Sequence, residues 1–163
     1  MEGNTVRKKR IALVAHDNMK RDLAEWVAWN WVKLLNHKLI CTGTTGKMVA
    51  ATLAEQHADS HCHSDITLLK SGPLGGDQQL GALISEGEID TVIFFWDPMT
   101  PQPHDVDVKA LMRLATLYNV PMAINRSTAD FIISSELFES EYMPVVKDYR
   151  SYVDRVLDEP INE

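Results

Sequence analysis

A chain of 163 residues that is 45% hydrophobic can bury one full core, and it is short for two domains. Its formal net charge of -7 at pH 7 provides no general field that would attract nucleic acid or an anionic membrane, so an anionic ligand needs a local pocket. We therefore expect a single domain over residues 1–163, with no nucleic-acid or membrane partner.

The basic cluster near the amino terminus, Arg7 to Arg10, precedes only a short apolar run, Ile11 to Ala15, which is too short for the apolar region of a signal peptide. No apolar stretch approaches the roughly 18 residues that a membrane-spanning helix needs. The two cysteines, Cys41 and Cys62, do not form a disulfide framework. We expect a cytoplasmic protein in which residues 1–9 form a flexible, solvated basic terminus.

Short apolar and β-branched runs alternate with segments of helical periodicity along the chain. Five runs are predicted strands: Arg10 to Ala15, Lys38 to Thr42, Ile66 to Lys70, Thr91 to Phe95 and Pro121 to Asn125. Their continuous apolar character predicts burial on both faces. Two sets of apolar residues fall at helical spacing between them: Leu23, Trp26, Val27 and Leu34, and then Val108, Leu111, Met112, Ala115 and Leu117. The alternation predicts an α/β fold, a three-layer αβα sandwich around a mainly parallel five-stranded sheet. Residues 140–163 form a C-terminal segment that this pattern does not define.

Polar or glycine-rich loops follow four of the predicted strands. His16-Asp17-Asn18-Met19-Lys20 follows the first strand, and Thr42-Gly43-Thr44-Thr45-Gly46 ends the second. Ser71-Gly72-Pro73-Leu74-Gly75-Gly76-Asp77 follows the third, and a loop from Asp97 to His104 follows the fourth. Parallel sheets bind ligands at the carboxyl ends of their strands. These loops therefore predict one site at that edge of the sheet.

The glycine- and threonine-rich loop after the second strand suits a phosphate group, because it offers hydroxyls and free backbone N–H groups at a helix start. The alternative is a tight turn in which Thr45 caps the helix. Ser71 and the amide of Gly72 could complete the phosphate cradle, and Lys20 could supply a cation unless it is an ordinary solvated lysine. The glycine spacing is not that of a Walker loop or of a dinucleotide fingerprint.

Asp77 and His104 suit acid–base chemistry beside this phosphate site. A carboxylate base and an imidazole electrophile together can enolise a phosphorylated ketone. The alternative for Asp77 is a plain helix cap, and Asp17 could cap the first helix in the same way. A helix N-terminus lowers the pKa of a carboxyl group and burial raises it, so the sequence leaves the balance at Asp77 open.

A histidine-rich segment lies between the second and third strands and contains His57, Asp59, His61, Cys62 and His63. It lacks the paired spacing of structural zinc sites, so we expect a polar connection and no metal. Three tryptophans, Trp26, Trp29 and Trp31, are predicted on one helix, where they would serve the core and a subunit contact.

Together these segments resemble the methylglyoxal synthase family across most of the chain. The matching stretches, in order, are "IALVAHDNMK", "TGTTG", "SGPLGGDQQLGALISEGEID", "VIFFWDPMTPQPHDVDVKALMRLA" and "PMAINRSTADFII". The resemblance implies a flavodoxin- or Rossmann-like topology and conversion of dihydroxyacetone phosphate to methylglyoxal and inorganic phosphate without a cofactor. It also implies a homohexamer that phosphate inhibits.

The resemblance assigns roles to particular residues. Asp77 matches the proton-transfer carboxylate of the family, and His104 matches the imidazole that polarises the carbonyl oxygen. The substrate and phosphate contacts match His16, Lys20, Thr42, Gly43, Thr44, Thr45, Ser71 and Gly72, and the supporting acids match Asp17, Asp97 and Asp107.

The resemblance is weaker over 47–70 and from residue 139 onward. An arginine that reaches the site or a neighbouring subunit would be Arg150 or Arg155, although Arg113 fits the pattern better. Two other functions remain open at this point: a non-catalytic domain of the same fold that binds small anions, and a lyase or isomerase acting on another sugar phosphate.

Overall fold

One parallel sheet organises the protein. The computed structural model describes residues 7–58 and 64–157, apart from the side chains of residues 155–157. The sheet has the strand order β3-β2-β1-β4-β5, and all four pairings are parallel. The strands are β1 Arg10–Ala15, β2 Lys38–Thr42, β3 Asp65–Leu69, β4 Thr91–Phe95 and β5 Met122–Ala123. This confirms the predicted α/β architecture, and the order is that of the first five strands of a Rossmann sheet.

The helices connect successive strands. They are α1 Lys20–Trp29, α2 Trp31–Leu34, α3 Gly43–Gln56, α4 Gly76–Ser85, α5 Asp105–Leu117, α6 Arg126–Ser134 and α7 Arg150–Leu157, with 3₁₀ turns at Asp17–Met19 and Gly72–Leu74. The first predicted helix is in fact two, because the chain leaves helical geometry at Asn30. The three tryptophans therefore do not share one helix. Trp26 is buried in the core, whereas Trp29 is 86% exposed.

Two hydrophobic layers enclose the sheet. Alternate residues of β1 point to opposite faces, so Ile11 and Leu13 pack with one layer and Ala12 and Val14 with the other. The first layer is built from α1, α2, α3 and α6, and the second from α4 and α5. Burial on both faces, as predicted, holds for β1 and β4. Because these strands are parallel, their carboxyl ends lie together at one edge of the core.

The prediction that each strand is buried on both faces is wrong for β3. This strand lies at the edge of the sheet and pairs only with β2, and Leu68 on it is 53% exposed. An edge strand lacks a neighbour on one side, so its side chains are less covered than those of the central strands. The sequence pattern alone does not distinguish an edge strand from a central one.

The prediction of a solvated basic terminus is wrong for its last residues. Lys9 is buried, with 7% of its surface exposed, and Arg10 is the first residue of β1. Arg7 and Arg10 both form ion pairs with Asp90 at the start of β4. Within the described residues, no helix is long and apolar enough to span a bilayer.

Candidate active site

A cavity of about 270 Å³ opens at the carboxyl edge of the sheet. We call it the carboxyl-edge cavity. The loops after β1, β2, β3 and β4 all contribute to its wall. The predicted site residues that line it are His16, Asp17, Lys20, Thr42, Thr44, Thr45, Ser71, Gly72, Asp77 and His104. The structure thus brings together ten of the thirteen residues proposed from the sequence.

Asp77 and His104 face each other across this cavity. Asp77 is the second residue of α4 and only 3% exposed, and His104 directly precedes α5. His104 Nε2 lies 3.6 Å from Asp77 Oδ2, which is beyond a normal hydrogen bond. Asp77 is not the helix cap, since Gly75 occupies that position. Among the described residues, Asp77 Oδ2 and His104 Nδ1 have no hydrogen-bond partner. Both side chains are therefore available to a ligand.

The electrostatics of Asp77 favour a basic carboxylate. Burial raises its pKa above the ordinary value, His104 opposes this shift, and the nearby carboxylate of Asp107 adds to it. At Asp77, burial therefore outweighs the opposing effect of the imidazole on the pKa. A raised pKa makes the ionised carboxylate a better proton acceptor near neutral pH.

The glycines before Asp77 allow the main chain to approach the side chains of Asp77 and His104 closely. A Cβ at Gly72 would lie 2.9 Å from His104 Nε2 and 3.2 Å from Asp77 Oδ2. A Cβ at Gly76 would lie 2.0 Å from the carbonyl oxygen of Lys70. Gly75, between them, has a φ of 101°, which favours glycine. The turn that delivers Asp77 has no room for side chains at positions 72 and 76.

His16 is held as a neutral hydrogen-bond donor. Its Nδ1 accepts the backbone N–H of Asp97 at 3.1 Å, so the ring proton resides on Nε2. That Nε2 is buried without a hydrogen-bond partner among the described residues, and the ring lies 5.6 Å from the His104 ring. Burial, followed by the neighbouring His104, lowers the pKa of His16. The imidazole can therefore donate to a ligand oxygen.

Asp97 lies behind His16 and does not line the cavity. Its carboxylate accepts hydrogen bonds from the backbone N–H groups of Met99 and Thr100 and from the side-chain amide of Asn18. Together with the Thr100 side chain, these bonds lower the pKa of Asp97 to about 2. The result is a fixed loop after β4 that holds the His16 ring. The role of Asn18 was not predicted from the sequence, because Asp97 lies 79 positions away from it along the chain.

The other end of the cavity is polar and cationic. Lys20 donates hydrogen bonds to the hydroxyl of Thr44 and to Asp17 Oδ1. The Thr42 side chain does not cap α3, and the first turn of a helix leaves backbone N–H groups without intrahelical partners. Thr45 is not the cap either, since α3 begins before it at Gly43. Hydroxyls, N–H groups and an ammonium group therefore converge where a phosphate would fit.

Gly43 supports this end from behind the cavity wall. Its N–H donates to the carbonyl of Lys70, and a Cβ there would lie 2.6 Å from Ser71 Cα. Its φ of 30° also disfavours a side chain. Gly43 thus joins the loops after β2 and β3, and it is absent from the cavity lining itself.

Several predicted residues lie elsewhere. Asp107 borders a separate groove between α4 and α5, which Asp77 also lines. Arg150 pairs with Asp148 at 2.7 Å, and neither it nor Arg113 lines the cavity. The side chain of Arg155 lies outside the described residues.

The sequence analysis also missed part of the lining. Pro73, Phe94 and Gln102 contribute to the wall of the cavity. Gln102 stands two positions before His104 in the loop, a placement that could have indicated it.

The histidine-rich segment falls only partly within the described residues. His57 directly follows α3, while Asp59, His61, Cys62 and His63 lie outside the described residues. Among the residues that are described, no three His, Cys, Asp or Glu side chains are grouped to hold a metal ion.

Comparison with known proteins decides the family. A profile of the MGS-like domain matches residues 27–124, a range that begins within α1 and ends just after β5. The methylglyoxal synthase of Maridesulfovibrio salexigens is 57% identical over 153 residues, which cover 91% of this chain and 98% of the relative. The chain belongs to the methylglyoxal synthase family.

Further relatives agree with this assignment. The methylglyoxal synthase of Hahella chejuensis is 54% identical, with 89% of this chain and 88% of the relative covered. The crystal structure of methylglyoxal synthase from Elizabethkingia anophelis NUHP1 superimposes with a TM-score of 0.79 at 49% identity, covering 96% of this chain and 94% of the other. The family resemblance inferred from the sequence is thereby confirmed.

Proposed function

We propose that this protein is a lyase that converts dihydroxyacetone phosphate to methylglyoxal and inorganic phosphate. One observation supports this most directly: the buried carboxylate of Asp77 faces His104 at one end of a cavity whose other end carries Lys20 and the threonine hydroxyls. The substrate has a matching polarity, since it carries a ketone and a hydroxymethyl group at one end and a phosphate at the other. Family membership supports the same reaction.

The first step is proton abstraction. Asp77 removes a proton from C3 of the substrate, and the electron pair of that C–H bond forms the double bond of an enediolate. Burial of Asp77 raises its pKa, so the carboxylate holds the transferred proton more firmly than an exposed one would. The carboxylate forms no ion pair with an arginine or lysine among the described residues. Such an ion pair would lower its pKa and make it a weaker base.

The developing negative charge on the substrate carbonyl oxygen needs hydrogen-bond donors. His104 lies beside Asp77 and is assigned to this oxygen. His16, with its proton on Nε2 and its Nδ1 occupied by the Asp97 N–H, is suited to donate a second hydrogen bond to the substrate. Donors fixed before the reaction stabilise the charge without reorganising in the transition state.

Loss of phosphate completes the reaction. The bond from C1 to the bridging oxygen breaks when it stands roughly perpendicular to the enediolate plane, because only then does its orbital overlap the π system. The leaving phosphate takes the electron pair of that bond, a new double bond forms between C1 and C2, and C3 becomes the aldehyde carbon as its hydroxyl proton passes to the C2 oxygen. The resulting enol then tautomerises to methylglyoxal. Lys20 and the N-terminal turn of α3 would hold the phosphate in that orientation and stabilise its charge. Thr42, Thr44, Thr45, Ser71 and Gly72 complete the proposed phosphate contacts.

We also propose that the protein acts in the cytoplasm as a homo-oligomer, a hexamer by resemblance to its family, and that it needs no cofactor. Large apolar side chains at the surface of the single chain are consistent with subunit contacts, among them Trp29 at 86% and Phe131 at 81% exposure. Sedimentation velocity of the purified protein measures the oligomeric state. A monomer at working concentrations contradicts this part of the proposal.

The activity is tested by incubating the purified protein with dihydroxyacetone phosphate and measuring methylglyoxal and inorganic phosphate together. We expect both products in equal amounts. Formation of glyceraldehyde 3-phosphate without phosphate release would identify an isomerase instead. Phosphate binding without any turnover would identify an anion-binding domain.

A further inference from the structure

A second cavity, of about 130 Å³, lies at the opposite end of the sheet. We call it the amino-edge cavity. Lys9, which precedes β1, and Thr91, at the start of β4, form its polar side together with Asp90. Its apolar side comes from α6 and the segment after it, chiefly Ile132 and Phe138. Nothing in the proposed reaction uses this cavity.

Lys9 is an unusual lysine in this cavity. Only 7% of its surface is exposed, and its ammonium group forms no ion pair or hydrogen bond in the part of the chain that is described. Its Nζ is not among the fully buried atoms without a partner, so the stem of the side chain is buried while the charged end stays accessible. Lysine is rarely buried to this extent without a partner. Lys20 in the carboxyl-edge cavity, by comparison, has both Asp17 and Thr44 as partners. Burial lowers the pKa of Lys9, which agrees with an ammonium group whose charge is incompletely compensated.

Asp90 lines the same cavity but does not pair with Lys9. Its carboxylate accepts hydrogen bonds from the backbone N–H and the guanidinium of Arg10, and a further one from Arg7. These bonds occupy the carboxylate with two other cations. Asp90 still attracts Lys9 at longer range, and Glu88 pairs with Arg10, so two carboxylates stand against the three cations Lys9, Arg7 and Arg10 at this edge of the sheet. The cavity therefore retains a cationic side.

We propose that the amino-edge cavity is a binding site for a small carboxylate with a short apolar body. The carboxylate contacts the ammonium group of Lys9, and the apolar body lies against Ile132, Leu137 and Phe138. A charge-assisted hydrogen bond beside apolar walls would give the ammonium group of Lys9 the partner that it lacks among the described residues. A volume of about 130 Å³ accommodates several water molecules or a carboxylate of about four to six non-hydrogen atoms.

Propanoate is a suitable probe, and its uncharged analogue propanamide is the matched control ligand. Titrations of the full chain followed by ligand-observed NMR measure both affinities. We expect propanoate to bind at least tenfold more tightly than propanamide, because only propanoate carries the charge that Lys9 needs. Equal affinities, or no binding of propanoate, would overturn the proposal.

Three lysine variants locate the binding. Lys9→Met should weaken propanoate binding at least tenfold. Lys20→Met, which changes the carboxyl-edge cavity, and Lys109→Met, which changes an exposed lysine of α5, should leave it unaltered. If Lys20→Met abolishes propanoate binding and Lys9→Met does not, the ligand occupies the carboxyl-edge cavity and the proposal is wrong.

A cavity-filling variant makes the test independent of the folding of Lys9→Met. Ile132→Phe retains Lys9 and adds volume to the apolar wall. It should abolish propanoate binding, while circular dichroism reports whether the variant is folded. A folded Ile132→Phe protein that binds propanoate normally contradicts the proposal. Turnover of dihydroxyacetone phosphate is measured separately, so failure of this binding test leaves the proposed reaction unaffected.

Discussion

Two aspartates at opposite ends of the sheet show how the same residue type serves different purposes. Asp77 at the carboxyl edge and Asp90 at the amino edge are both removed from solvent, which by itself raises a carboxyl pKa. At Asp90 the hydrogen bonds and charges of Arg10 and Arg7 outweigh burial, and the pKa is lowered. At Asp77 no such partner exists among the described residues, and the pKa is raised. One end of the sheet pairs its aspartate with arginines, and the other holds a buried aspartate whose pKa is raised.

Replacing Asp77 should give the largest effect on activity. Asp77→Asn keeps the size of the side chain and removes the base, so we expect turnover to fall by about 100-fold to 10,000-fold. The rate of methylglyoxal release from dihydroxyacetone phosphate measures this turnover. Asp90→Asn is the control and should retain near-normal turnover. If Asp77→Asn is as active as the unaltered protein, the role of Asp77 as the base is wrong.

Gly72→Ala tests how closely the main chain must approach the reactive pair. The added Cβ would lie 2.9 Å from His104 Nε2 and 3.2 Å from Asp77 Oδ2, so one or both side chains must move. Displacement of a reacting group by about 1 Å can cost about 100-fold in rate, and we expect a loss of kcat/KM of that order. Unchanged kinetics would show that the cavity tolerates a methyl group there.

Asp90→Asn should affect stability and spare activity. Losing the charged partner of Arg10 and Arg7 should lower the free energy of unfolding by about 1.5–3 kcal/mol. The matched control is Glu88→Gln, because Glu88 also pairs with Arg10 but its side chain is 54% exposed, and we expect a change below about 1 kcal/mol. Urea unfolding at pH 7 measures both. Equal losses in the two variants would refute the distinct role of Asp90.

The same comparison predicts a pH dependence. The pKa of Asp90 is lowered in the folded state, so its contribution to stability is present above the unfolded value of 3.8 and is lost as pH falls through the folded pKa. The difference in unfolding free energy between the unaltered protein and Asp90→Asn should therefore shrink below about pH 4. A difference that stays constant down to pH 2 contradicts this assignment.

The smallest expected effect is a gain of stability in Asp77→Asn. The folded pKa of Asp77 is raised, so ionising it costs stability as pH rises from the unfolded value of 3.8 through the folded pKa. At pH 7 the variant should melt a few degrees higher, as a change of about 1 kcal/mol produces in a domain of this size, and below pH 4 the difference should vanish. Asp154→Asn, on exposed α7, should show no change. A lower melting temperature for Asp77→Asn at pH 7 would refute an energetic cost at this site.

Much of the fold was predictable because apolar runs mark buried strands well. The predicted bounds of β1, β2 and β4 agree with the structure, and β3 is displaced by one residue. β5 is much shorter than predicted, since the side chain of Asn125 already accepts the Thr128 N–H to cap α6. The burial of Lys9 was missed because a run of basic residues ordinarily indicates solvent, whereas the side chains that line a cavity with Lys9, such as Leu137 and Phe138, come from a distant part of the chain.

The site was predictable to the extent that its residues directly follow strands. Asp77, His104 and the loop of Thr42 were found by their position at strand ends, and the topology brings those ends together. The support of Asp97 by Asn18 was not predictable, because it joins residues 79 positions apart and leaves no local pattern. The pKa direction of Asp77 also required the structure, since it depends on how completely the helices bury it.

The edge position of β3 has a consequence for how the protein would lose function on warming. This strand shares a ladder with β2 alone, whereas β1 and β4 are each held on both sides, and the turn that carries Gly72 and Asp77 emerges directly from it. Amide protons of β3 should exchange through a partial opening of lower free energy than those of β1. Such an opening would separate the Asp77 carboxylate from His104 while most of the sheet stays intact. If Asp77 is the base that we propose, inactivation should precede cooperative melting.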